Sequence, residues 1–145
     1  MNNHANQSHQ AAAVLSINGR RVEHFDEYHK LIIDGTYVDL TPTEYLLVML
    51  LLRHYEQLQA SGSVEVFVGY DELQQCASLT NRTVLSKHIT NASKKLWAVG
   101  WAIVPVKYYG YTLVFDALGD ADRYRMQSEP RAPSPRGDLQ FAAAV

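Results

Sequence analysis

Between Leu73 and Phe115 the sequence contains neither aspartate nor glutamate. The gap is local, because residues 1–72 carry Arg20, Arg21, Lys30 and Arg53 against ten acidic residues, a balance of −6. The acid-free stretch holds Arg82, Lys87, Lys94, Lys95 and Lys107, or +5, and the residues from Asp116 onward contribute −1, leaving the chain at −2. A uniformly basic domain is thereby excluded. A positive pole on an acidic body remains, and such a pole orients a molecule toward a polyanion.

Other scarcities narrow the class further. Cys76 is the only cysteine, so no intrachain disulfide can form and the fold must rest on its core, as suits a reducing compartment. The longest apolar run, Tyr45 to Leu52, is closed by Arg53 and His54. It falls far short of the roughly 20 residues that a bilayer span needs. Met1 to Gln10 has neither the basic start nor the apolar stretch of a secretory signal, and a cytoplasmic location is expected. There is no phosphate-binding glycine loop, no nucleophile motif and no acidic pair supported by its context, so no catalytic residue and no cofactor are expected. His4, His9, His24, His29 and His54 lack metal-ligand spacing, and His88 lies near an apolar stripe where an interior histidine is the simpler reading.

The length of 145 residues suffices for one core and not for two ordinary domains. Residues 14–116 are read as that domain. Residues 1–13, rich in Asn, Gln, His and Ala, and residues 117–145, with Pro130, Pro133 and Pro135, are read as mostly disordered tails. Leu139 to Val145 is apolar but too short to fold alone.

Within the domain, the stretch from Val14 to Asp39 is strand-like, with Val14–Ile17, Leu31–Ile33 and Tyr37–Leu40 set off by Asn18-Gly19 and Asp34-Gly35. Those dipeptides are strong hairpin signals, since both residues accept positive φ. A first helix opens at Thr41 as N-cap, with Pro42 at its first position, Glu44 completing a capping box, and Leu40 and Tyr45 as a hydrophobic staple. Apolar residues from Tyr45 to Leu52 go all round it, which predicts packing on several sides and an end near Ser61-Gly62. Val64–Val68 reads as a short strand or an extended link, Tyr70–Cys76 as a short second helix, and Cys76 as a buried core thiol. Ala102–Val106 and Tyr109–Phe115 form a C-terminal hairpin, with Tyr111 assigned to its core side.

The third helix, from Thr80 or Asn81 to Gly100, has the most informative pattern. Leu85, Ile89, Ala92 and Leu96 make one narrow core-facing stripe. At about 100° per residue the opposite face collects Thr83, Lys87, Thr90, Asn91 and Lys94, with Ser86 and Lys95 beside it. Solvated helices ordinarily mix charge signs to gain i,i+4 pairs. A face free of carboxylate points instead to phosphates and base edges as neighbours.

This order of elements resembles the effector domain of OmpR/PhoB-type response regulators. The matching residues are Asp39-Leu40-Thr41-Pro42-Thr43-Glu44-Tyr45 with Leu46-Leu47, Tyr70-Asp71-Glu72-Leu73, Arg82-Thr83-Val84, His88-Ile89, Lys94-Lys95-Leu96 and Val106-Lys107-Tyr108-Tyr109-Gly110-Tyr111, within residues 30–115. The resemblance implies an α+β winged helix-turn-helix: an N-terminal antiparallel sheet, three helices and a C-terminal β-hairpin wing. It implies a transcriptional regulator of double-stranded DNA that uses Arg82, Thr83, Ser86, Lys87, Thr90, Asn91, Lys94 and Lys95 of the third helix and Lys107, Tyr108 and Tyr109 of the wing. Five positive charges are modest, so weak non-specific affinity and a homodimer or tandem arrangement on DNA are expected; the resemblance adds a protein partner such as RNA polymerase.

The departures matter as well. Roughly 30 to 40 residues precede the first helix, too few for a receiver domain, so phosphorylation-driven control is not expected in this chain. The family's paired arginines stand here as Thr90 and Asn91, with Ser93 at another basic position, so base preference does not transfer. The loop Ala77–Asn81 is short where the family commonly contacts polymerase, which leaves repression or an architectural role as open as activation. The alternative is a winged helix that docks a protein and touches no DNA, and a salt-dependent mobility shift separates the two.

Overall fold

The computed structural model describes residues 12–62 and 65–115, so both expected tails, apart from Ala12 and Ala13, lie outside the described residues, as does Val64 of the expected link. Strands β1 (Ala13–Ile17), β2 (Arg20–Phe25), β3 (Lys30–Ile33) and β4 (Thr36–Val38) form one antiparallel sheet in chain order. Asn18 and Gly19 turn between β1 and β2 at φ of 54° and 80°, the two positive values that a tight hairpin with the native strand twist requires. β2 goes beyond the three apolar runs read from sequence. It carries Arg20, Arg21, Glu23 and His24 among six residues, so its period of two is visible only in Val22 and His24, which are buried. With Ile17, Leu31, Ile33 and Val38 they make the inner face of the sheet.

Helix α1 (Pro42–Ser61) begins as the sequence requires. The Thr41 hydroxyl accepts from the Glu44 amide at 3.2 Å, and the Glu44 carboxylate accepts from the Thr41 amide at 2.9 Å. Gly62, in the left-handed conformation, caps the other end. Tyr45, Leu47, Val48, Met49, Leu51 and Leu52 are buried, but Leu46 is exposed, so the helix is not covered all round as expected. The side of Leu46 is open because α2 (Tyr70–Cys76) has only seven residues and buries only Leu73. For the same reason Cys76 is not the core thiol expected from sequence: it is exposed, with its Sγ 3.5 Å from the Leu46 carbonyl. Partial burial and the Glu72 carboxylate push the thiol pKa above the ordinary cysteine value.

The sheet is fastened to α1 by polar contacts. Asp26, in the β2–β3 turn, accepts from the Tyr45 hydroxyl at 2.6 Å and meets buried His24 at 2.9 Å. The Tyr45 hydrogen bond, followed by His24 and Arg53, holds the Asp26 carboxyl below its ordinary pKa against the opposing effect of burial. At the opposite end of the sheet the Gln59 side chain accepts from the Asn18 amide and donates to the Ser16 carbonyl.

Helix α3 (Arg82–Leu96) follows, capped by the Asn81 side chain, and runs into a 3-10 turn (Trp97–Val99) that Gly100 closes. Leu85, Ile89, Ala92 and Leu96 are all buried, as the stripe predicts, and α3 packs on α1, α2 and the strand β6 (Ala102–Val106). The second sheet has the order β5 (Val68–Gly69), β7 (Gly110–Val114), β6 (Ala102–Val106), all antiparallel. Of the expected link, residues 65–67 lie outside any strand and Val68 opens the two-residue β5. No helix among the described residues is long and apolar enough to cross a membrane.

One ion pair joins the first helix to the third. Lys95 Nζ lies 2.7 Å from Glu44 Oε1, and the carboxylate side chain is only 3% exposed against 38% for the lysine. Burial pushes the Glu44 carboxyl up, but Lys95 and the Thr41 amide outweigh it, and the pKa ends below the ordinary value. The two ends of this pair are therefore unequal. Lys95→Met strands a buried carboxylate and is expected to cost about 3 kcal/mol. Glu44→Gln should cost less, because glutamine still caps Thr41 and the lysine can reach water. With the folded pKa depressed, the stabilisation is present above the unfolded carboxylate value and is lost as pH falls through the folded one, so Glu44→Gln should flatten the acid side of the stability curve. Urea unfolding of both variants between about pH 7 and about pH 3 checks this; a larger loss for Glu44→Gln at neutral pH would contradict it.

Candidate nucleic-acid interface

The outward face of α3 is built by exclusion. Four apolar residues at helical spacing claim one stripe for the core, so Thr83, Ser86, Lys87, Thr90, Asn91 and Lys94 are turned out, and all six are exposed. With the apolar side pinned, the helix cannot roll. Lys94 falls in its last turn, where a cation is also favoured by the helix dipole. Val84, in the first turn, is exposed beside them and is not among the contact residues expected from the sequence.

Two of the basic residues in this region have partners inside the molecule. Lys95 is held by Glu44 as described. The Arg82 guanidinium lies 4.2 Å from the centre of the Tyr70 ring and 3.7 Å from the Asp71 carboxylate. Arg82 and Lys95 thus brace the two ends of α3 against α2 and α1. Lys87 and Lys94 extend from the middle and the last turn. Ser93, read from sequence as an altered basic position, points the other way: it is buried, accepts from the Ile103 amide at 2.8 Å and donates to the Ile103 carbonyl at 3.3 Å. A serine here closes the free edge of β6, and a long cation would be forced into the core.

The β6–β7 hairpin stands beside the opening turn of α3. Tyr111, half-buried on its core side as assigned, meets the Tyr70 ring edge-on at 5.7 Å. The Tyr109 carbonyl accepts from the Tyr70 amide at 3.3 Å. Residues 107–109 form the tip, with Lys107, Tyr108 and Tyr109 all exposed. The tip thus rests on Phe67, just ahead of β5, and on Tyr70 of α2, while β6 is fastened to α3 at Ser93; Lys107, Tyr108, Tyr109 and the outward row of α3 are all exposed. His88 is half-buried between the two faces of α3.

This architecture has counterparts among solved structures. The chain aligns with the DNA-binding domain of CpxR from E. coli at 22% identity and a TM-score of 0.51, covering 73% of this chain and 100% of that domain. The fold is a winged helix-turn-helix. A second structural neighbour is a redox sensor of the streptococci, from a family that evolved from two-component response regulators. It aligns at 21% identity and a TM-score of 0.51 over 78% of this chain and 47% of that one, so the chain spans about half of its length. No protein-family model and no curated protein sequence matches the chain.

In this winged helix Ser93 ties the wing to α3 by two hydrogen bonds to Ile103. Ser93→Ala leaves the Ile103 amide and carbonyl buried without that partner, and is expected to cost about 1–3 kcal/mol. The Ile103 amide should also exchange with solvent faster relative to the Leu113 amide on the neighbouring strand. Hydrogen exchange followed residue by residue checks this; unchanged protection at Ile103 would show that the hydroxyl does not anchor the wing.

Proposed function

We propose that the chain is a transcriptional regulator that reads duplex DNA, with α3 in the major groove and the β6–β7 wing on the flanking backbone or minor groove. The observation that carries this reading is the exposed row Thr83, Ser86, Lys87, Thr90, Asn91 and Lys94 on a helix whose other side is locked in the core. The major groove admits one helix and presents a distinct donor and acceptor pattern for each base pair. In this arrangement the Asn91 amide faces a base edge, where adenine offers it two matching groups, and the hydroxyls of Thr83, Ser86 and Thr90 add hydrogen bonds. Lys87, Lys94 and Lys107 meet phosphates. Arg82 and Lys95 act through Tyr70, Asp71 and Glu44 by fixing how α3 is presented, and Tyr108 and Tyr109 contact the sugar and groove edge.

The fold likeness to the CpxR domain supports this reading at the level of architecture, and the chemistry of α3 supplies the rest. Few free cations give modest non-specific affinity, so two copies on adjacent half-sites are the expected binding unit. Redox sensing of the kind named for the streptococcal neighbour gains no support from Cys76, because a raised thiol pKa opposes the thiolate that such chemistry needs.

Duplex binding should weaken with salt, at about 0.9 log unit per log unit for each neutralised phosphate, giving a slope on the order of 3 per copy. Asn91→Ala should flatten sequence preference by about 1–3 kcal/mol at one position, while Lys107→Ala should weaken all sequences alike and lower the slope by about one. Lys95→Met should leave the slope unchanged. Fluorescence anisotropy over a salt series measures all four quantities. No binding at low salt, or binding indifferent to salt, would leave a protein-docking winged helix as the better reading.

A further inference from the structure

The tip of the wing is unusual for a surface that only neutralises phosphate. It has one cation, Lys107, and two exposed aromatic residues, Tyr108 at 79% and Tyr109 at 60%. Tyr108, third residue of the Val106–Tyr109 turn, adopts a φ of 75°, in the left-handed region that glycine occupies without cost. Asn18, His29, Asp34 and Ser78 share positive φ, but each is a smaller polar residue. A bulky aromatic side chain in that region is an outlier, of the sort held in place by surrounding structure where a function depends on it.

The surroundings do hold it. The Tyr109 amide donates to the Val106 carbonyl across the loop at 2.9 Å. The Tyr109 ring rests against Phe67 at 5.4 Å between centroids. Beneath the loop, β5 approaches β7 so closely that a Cβ at Gly110 would overlap the Val68 carbonyl, which fixes the base of the wing against sliding. On this stiff support the Tyr108 ring projects into solvent, with Lys107 Nζ 5.1 Å from its centre. A rigid ring with a cation beside it suits an element that enters a groove, stacks on a base step and finds phosphates at its flank.

We infer that Tyr108 is a wedge that partly unstacks one base step beside the α3 contact, so that the wing selects a deformable step in the DNA. Resting on the duplex-binding reading above, this makes Tyr108 a specificity-determining residue that acts through DNA deformation. Aromatic or apolar wedges that enter the minor groove kink the duplex and favour steps that are cheap to open. Pyrimidine–purine steps, TA above all, are the cheapest. The wing position of a bound site should therefore be enriched in such steps without any hydrogen bond to their edges.

The test starts from a pool of duplexes with a randomised central segment, selected in parallel with the parent chain, Tyr108→Phe, Tyr108→Gly and Tyr108→Asn. The last two remove the ring and suit positive φ, so both keep the fold, and thermal melting confirms it. The parent and Tyr108→Phe should enrich pyrimidine–purine steps at one flank of the motif and bend the selected duplex, read by energy transfer between its ends. Tyr108→Gly and Tyr108→Asn should keep the motif beneath α3, lose the flanking enrichment and most of the bend, and bind the parent's duplex about tenfold more weakly. Equal enrichment and bend in all four proteins overturns the wedge while leaving duplex reading intact. So does loss of both in Tyr108→Phe, which would make the hydroxyl the active group. If the parent enriches no duplex, the duplex reading itself falls and the wedge with it.

Discussion

Glu44 accepts hydrogen bonds from the Thr41 amide and from Lys95 at once, and through that single buried carboxylate the start of α1 and the end of α3 are held in one geometry. Neither role is independent of the other. The capping box fixes the carboxylate, the carboxylate draws in the ammonium, and the ammonium sets the height of the last turn of α3 above α1. Arg82 performs the matching task at the other end by stacking on Tyr70. Between these points Leu85, Ile89, Ala92 and Leu96 take the core side, and Ser93 fastens the edge of β6. A helix held in this way can present side chains on its far face with little freedom to rotate, which is the preorganisation that sequence reading requires.

This bracing changes the meaning of the charge pattern. Counted along the sequence, the acid-free stretch offers five cations. Folded, two of them are engaged by partners that lie outside it or at its border, Glu44 and Tyr70 with Asp71. The remaining Lys87, Lys94 and Lys107 make a sparse positive surface interleaved with hydroxyls, an amide and the aromatic wing tip. On the proposed reading, such a surface would gain less from counterion release than a basic helix does, and would rely more on groove-edge contacts and on the shape of the DNA. The acidic body suits the same scheme by disfavouring other orientations on a polyanion.

Much of this was legible in the sequence because it is local. The α1 cap, the two tight turns at Asn18-Gly19 and Asp34-Gly35, and the outward face of α3 depend on neighbours within one or two turns of chain, and each stands where its residues place it. What escaped was set by distance. β2 hid behind four polar residues, although a hairpin turn after β1 demands a partner strand. The shortness of α2 was legible at Tyr70–Cys76, but the exposure of Leu46 and Cys76 was not, because which side of so short a helix meets α1 is set by packing between segments distant in the chain. Lys95 looked like its neighbour Lys94, and Ser93 like a surface position, until the chain brought Glu44 and Ile103 against them from 51 and 10 residues away. Sequence periodicity says which side of a helix faces inward; it does not say which polar residue near the boundary has a partner there.

The central claim, that α3 and the wing tip form one surface that meets duplex DNA, is tested most directly by two-dimensional amide NMR of the chain titrated with a selected duplex. The account predicts shifts concentrated at Thr83, Lys87, Thr90, Asn91, Lys94 and residues 107–109, with the amides of β1 to β4 unmoved. Shifts centred on the four-stranded sheet, or around Leu46 and Cys76, with α3 silent, would contradict it.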